Sequence, residues 1–91
     1  MKGGWLITAD HIGEGHYVGT KQGVINHREL ANDGVPFRLY DDDNNLYFEG
    51  LISENWIEGE ADFAFAPLDW AMAVFGCTHM EYFNGEKWEE L

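Results

Sequence analysis

The chain of 91 residues carries 17 Asp and Glu against 5 Lys and Arg, a net charge of −12, and so acidic a surface repels nucleic acid and anionic membranes, which argues against direct binding to either. Apolar residues make up 45% of the chain and aromatics 15%, too many for a disordered tail and enough for one core at a length that suits a single domain over residues 1–91. No apolar run approaches the roughly 20 residues of a membrane span, Met1-Lys2-Gly3-Gly4-Trp5 lacks the apolar stretch of a signal peptide, and the lone Cys77 has no partner for an internal disulfide, so the expected compartment is a reducing cytoplasm.

Trp5-Leu6-Ile7-Thr8 is a short apolar run and predicts a buried strand. Residues 9–23 hold four Gly among scattered polar residues and read as a long loop, followed by a brief strand over Gly23-Val24-Ile25. Asn26 followed three residues later by Glu29 has the order of a capping box and predicts a short helix over His27 to Ala31, ending near Asn32-Asp33-Gly34. Val35–Tyr40 and Leu46–Ile52 predict a hairpin across the polar turn Asp41-Asp42-Asp43-Asn44-Asn45. In residues 56–65, Ile57, Gly59, Ala61, Phe63 and Phe65 alternate with Glu58, Glu60 and Asp62, the period of a half-buried strand with its carboxylates outward. Pro67 to Gly76 predicts a helix that is apolar nearly all round, with Pro at the first turn and Gly at the end. Asn84-Gly85 closes a last hairpin, in which a two-residue loop would pair Tyr82 with Lys87 and Glu81 with Trp88. The expected fold is therefore α+β: an antiparallel sheet of about five strands packed on one buried helix at 67–75, with a second short helix at 27–31. Trp5, Leu39, Phe48, Phe63, Trp70, Phe75 and Trp88 are the expected core.

Several chemical readings fail on spacing. An EF-hand loop starting at Asp41 requires Gly at its sixth position and Glu at its twelfth, where this chain has Leu46 and Ile52. Cys77 and His79 would lie on one side of a strand, yet no orienting residue or positive neighbourhood accompanies them as a nucleophile–base pair needs. His11, His16, His27, His79 and Cys77 show no standard zinc spacing. There is no phosphate-binding loop, dinucleotide fingerprint or Gly-x-Ser-x-Gly. No cofactor or metal is expected, and the chain is read as a binding protein and not an enzyme; a small hydrolase is the weakest alternative.

The charge is unevenly distributed. Between Arg38 and Lys87 there is no Lys or Arg, while Asp41, Asp42, Asp43, Glu49, Glu54, Glu58, Glu60, Asp62, Asp69, Glu81 and Glu86 all fall in that interval. Alternate residues on one strand face stand about 6.6–6.8 Å apart, close to the spacing of phosphates along a nucleic-acid strand. On this reading Glu58, Glu60 and Asp62 mimic phosphates, and Asp41, Asp42, Asp43, Glu49 and Glu54 extend the row toward a basic partner. The competing reading is a solvated sheet face on a structural or housekeeping interaction domain whose acidity is incidental.

Asp41-Asp42-Asp43-Asn44-Asn45-Leu46-Tyr47-Phe48-Glu49-Gly50, then Pro67-Leu68-Asp69, then Gly76-Cys77-Thr78-His79-Met80-Glu81-Tyr82 with Asn84-Gly85-Glu86-Lys87-Trp88, resemble a group of short bacterial proteins of unassigned function carried on plasmids and phages. In size, acidity and aromatic-rich β character the chain is also similar to the anti-CRISPR and anti-restriction proteins of phages. That likeness implies an inhibitor that binds a basic, nucleic-acid-handling host protein such as a nuclease or a subunit of a CRISPR surveillance complex.

Overall fold

The computed structural model describes residues 3–24 and 27–91. Met1, Lys2, the strand residue expected at Ile25 and the N-cap expected at Asn26 lie outside the described residues. The architecture is α+β, with six antiparallel strands and four helical segments among the described residues. The strands are β1 (Gly3–Asp10), β2 (Lys21–Val24), β3 (Val35–Tyr40), β4 (Leu46–Ile52), β5 (His79–Phe83) and β6 (Trp88–Glu90), in the spatial order β2-β1-β4-β3-β5-β6. The helices are α1 (His27–Asp33), α2 (Glu54–Ile57), α3 (Ala61–Ala64) and α4 (Ala66–Phe75).

Side-chain alternation divides the sheet into two faces. Trp5 and Ile7 of β1, Phe37 and Leu39 of β3, Phe48 and Ile52 of β4, and Met80 of β5 are wholly buried on the face that meets Leu68 and Ala71 of α4. The rings of Trp5, Phe48, Trp70 and Phe75 meet at centroid distances of 5.0–5.5 Å in tilted or edge-on contacts, the geometry that aromatic quadrupoles favour. Gly50 sits mid-strand in β4 opposite both Ile7 and Phe37, and a side chain there would collide with the Phe37 ring and the Leu6 carbonyl oxygen. A glycine in a central strand is thus the condition for laying that ring across the sheet.

The sequence expectations need correction in several places. The loop expected over 9–23 is flanked by more strand than foreseen, because β1 runs on to Asp10 and β2 begins at Lys21, so the stretch is a hairpin with a long turn. The turn is organised by the Asp10 carboxylate, which accepts the backbone N–H groups of Ile12 (2.9 Å), Gly13 (2.6 Å) and Tyr17 (3.0 Å). The final hairpin pairs Phe83 with Trp88, Tyr82 with Glu89 and Glu81 with Glu90, a shift of two residues from the expected register. The cause is the Asn84 side chain, whose Oδ1 accepts the N–H groups of both Glu86 and Lys87 and widens the turn to 84–87. Trp88 then lies on the face opposite the core, while Phe63, Trp70 and Phe75 pack against the core half-buried. Helix α4 buries Pro67, Leu68 and Ala71 but leaves Met72 and Val74 50% and 62% exposed, so it is not enclosed all round. It ends at Gly76, which takes the left-handed conformation (φ 75°) that glycine adopts without steric cost.

The strand expected over 56–65 does not exist. Its residues form α2, an irregular stretch and α3. Gly59 and Ala61 satisfied the alternating pattern without contributing the bulky β-favouring side chains that drive strand formation, and alanine is the best helix former. Trp56 of α2 and Phe63 of α3 pack ring to ring at 4.8 Å across the break between the two short helices. Topology acts in the same direction. β4 and β5 are each antiparallel to β3, hence parallel to one another, and a parallel return needs a crossover that is usually helical.

Candidate partner-binding surface

The eight carboxylates singled out from the sequence fall into three environments. At the β3–β4 turn, Asp41 serves the fold: its Oδ1 accepts the N–H groups of Asp43 and Asn45 at 2.9 Å each, and its Oδ2 accepts Asn45 Nδ2 at 3.1 Å. These bonds from Asn45 and Asp43 hold the Asp41 carboxyl below its ordinary pKa against a smaller effect of desolvation. Asp42 and Asp43 are exposed beside it.

Glu49 lies mid-strand on the face of β4 away from the core. It sits directly opposite Arg38 of β3, whose Nε donates to Glu49 Oε1 at 3.3 Å, and His11 Nε2 lies 3.0 Å from Glu49 Oε2. The His11 contact is the main cause of a lowered Glu49 pKa; desolvation opposes it and Arg38 adds to it. The Arg38 guanidinium also stacks 3.9 Å from the centre of the Trp88 ring. Glu49 is therefore engaged within the molecule, and a cation stands in the middle of the supposed acidic row.

Glu54, Glu58, Glu60 and Asp62 lie on and between α2 and α3, all exposed. Among the described residues no Lys or Arg is within ion-pair distance of them. They do not stand on alternate positions of a strand, so the regular phosphate-like spacing expected for Glu58, Glu60 and Asp62 is withdrawn. The helical turns instead bring Glu54 and Glu58 to a cleft of about 430 Å³, which Ile57 lines with them. Across it stand Val35 and Pro36 from the start of β3, and Tyr82 with the Asn84-Gly85 turn from the last hairpin. The Tyr82 hydroxyl donates to Glu89 Oε2 at 2.8 Å. That bond, with desolvation and the fields of Glu89 and Glu58, pushes the Tyr82 phenol above its ordinary pKa, as expected beside concentrated negative charge. The cleft lies at the Val35 end of β3 and the Asp42–Asp43 turn beyond the other end of that strand, which is itself about 17 Å long at about 3.4 Å per residue.

Neither Tyr82 nor Glu89 stood out in the sequence, because the approach of Tyr82 to Glu58 depends on the crossover, and its contact with Glu89 on the shifted register of the last hairpin. The available signal was the Asn84 turn chemistry, which places Tyr82 opposite Glu89 once the loop is counted as four residues.

Cys77 and His79 do not form a pair on one strand face. Strand β5 begins at His79, and Cys77 precedes it, fully buried in the core; His79 is half-exposed and stacks on Tyr40 at 5.1 Å. Burial, with the field of Asp41, raises the Cys77 thiol to about 11, so it is protonated at neutral pH. Among the described residues no three His, Cys, Asp or Glu side chains converge to hold a metal ion, and no helix is long and apolar enough to cross a membrane. Comparison of the chain with known protein families, curated proteins and solved structures finds no match.

Proposed function

We propose that this protein acts by binding, through its acidic surface, a basic protein that handles nucleic acid, and that it inhibits that partner in the manner of anti-CRISPR and anti-restriction proteins. The observation that carries the reading is the uncompensated charge of residues 54–62, on and between α2 and α3, where four exposed carboxylates have no Lys or Arg partner among the described residues. Such a surface attracts a protein whose own basic groove is built for phosphates, and steers it at long range. Occupying that groove excludes nucleic acid without any need for evenly spaced charges. On this reading the partner is a host nuclease or a subunit of a CRISPR surveillance complex, met in the bacterial cytoplasm. The protein works without cofactor or catalysis, and it touches neither nucleic acid nor membrane. The inert protonated thiol of Cys77 supports the non-catalytic part of the reading.

Affinity capture from a bacterial lysate, at low and at moderate salt, tests the proposal. A nucleic-acid-binding protein should be retained at low salt and lost as the Debye length shortens toward 8 Å. Retention only of proteins without basic nucleic-acid sites, unaffected by salt, would instead favour an interaction domain whose acidity is incidental.

A further inference from the structure

We infer that the cleft between α2, the start of β3 and the last hairpin receives one arginine side chain from the partner. The inference rests on the binding reading above and adds where and by what chemistry the contact is made. The cleft is amphipathic in the order an arginine requires. Val35, Pro36 and Ile57 offer apolar surface for the three-carbon stem, and Glu54 and Glu58 offer carboxylates for the guanidinium. Tyr82 belongs to the same lining, and its hydroxyl donates to Glu89, so a third carboxylate stands at the hydroxyl end of that side chain. A planar, weakly hydrated cation with a fork of donors fits carboxylates beside an aromatic ring better than the compact, strongly hydrated ammonium of lysine. Charge complementarity thus selects a cation, and the lining selects arginine among cations. The Asp42–Asp43 turn, equally acidic and exposed, lies outside the lining of this cleft and serves as the internal control.

The test is a nuclear magnetic resonance titration of the isotopically labelled protein with N-acetyl-arginine amide, with the lysine and citrulline analogues run in parallel. Saturable shifts at Ile57, Glu58, Tyr82 and Asn84 are expected with the arginine derivative, weaker ones with lysine, and none with the neutral, isosteric citrulline. The double variant Glu54→Gln, Glu58→Gln should weaken arginine binding at least about tenfold, whereas Asp42→Asn, Asp43→Asn should leave it unchanged. Unchanged resonances elsewhere show that the variants are folded. Shifts that centre on the Asp42–Asp43 turn, or equal losses in both variants, would overturn the cleft and leave general acidic attraction standing. Absence of any saturable shift in the cleft overturns it as well. Failure of the lysate experiment to yield a basic partner, by contrast, bears on the proposed function and not on the arginine titration.

Discussion

Asp10 shows how a single carboxylate can order a long, glycine-rich turn. Three backbone N–H groups converge on it, and although desolvation is the largest single influence and acts to raise its pKa, those donors together with the nearby His16 lower it overall. Because the folded pKa lies below the ordinary 3.8, the stabilisation is complete above that pH and is lost as the pH falls through the lower, folded value. Asp10→Ala should cost about 1 kcal/mol at neutral pH, given its partial exposure; thermal melts should show a drop of about 4–8 °C. The difference between parent and variant should shrink in melts repeated from pH 5 down to pH 3; a difference that grows on acidification would contradict the assigned role. Cys77 is the opposite case, a titratable group held neutral by burial. It should resist a thiol reagent such as Ellman's in the folded protein and react once urea unfolds it, and rapid reaction of the native protein would refute its placement in the core. Cys77→Ser should cost about 1–3 kcal/mol by setting a hydroxyl among apolar side chains.

At the scale of elements, the contrast between Phe48 and Phe63 is the clearest energetic statement of the fold. Phe48 is wholly buried between the sheet and α4, so Phe48→Ala should cost about 3–5 kcal/mol. Phe63 is half-buried against Trp56, and Phe63→Ala should cost about 1–2 kcal/mol. Urea denaturation of both variants checks the ranking; an equal or reversed order would mean that α3 is packed differently. The hairpin of β3 and β4 was legible because alternating apolar residues flank an unmistakable aspartate-rich turn, and α4 because Pro67, Asp69 and Gly76 mark its ends. Residues 56–65 were misread because Gly59 and Ala61 count as apolar in a period-two pattern while favouring no strand. The cleft was illegible for a related reason: Glu58 and Tyr82 are neighbours only after the crossover has folded, and local spacing carries no trace of that. Of the candidate residues, the sequence did identify the exposed carboxylates of α2 and α3, but not that Asp41 and Glu49 are engaged by their own chain.

For the whole molecule the decisive variable is charge. Replacing Glu58, Glu60 and Asp62 by Gln, Gln and Asn removes three exposed charges that have no Lys or Arg partner among the described residues, and folding should change little or improve as self-repulsion falls. Partner affinity should behave oppositely. Loss of desolvated charge pairs typically costs about 2–5 kcal/mol each, so the triple variant should bind at least about a hundredfold more weakly, with a flatter salt dependence. Titration calorimetry against the captured partner at two salt concentrations measures both, and an unchanged affinity would mean that these side chains are only wetted surface.

The strand order β2-β1-β4-β3-β5-β6 places three consecutive hairpins side by side, the middle one between the other two. Each hairpin closes between residues near in sequence, but the two seams join Trp5 to Ile52 and Leu39 to Met80. The search for those distant seams should limit the folding rate, giving refolding in roughly milliseconds to seconds by stopped-flow fluorescence of the tryptophans. Both outer hairpins dock onto the central one and neither docks onto the other within the sheet. A nascent chain therefore has a template for its N-terminal ribbon only when residue 52 has emerged, and the acidic cleft, which needs the last ribbon as its far wall, is among the final features to exist.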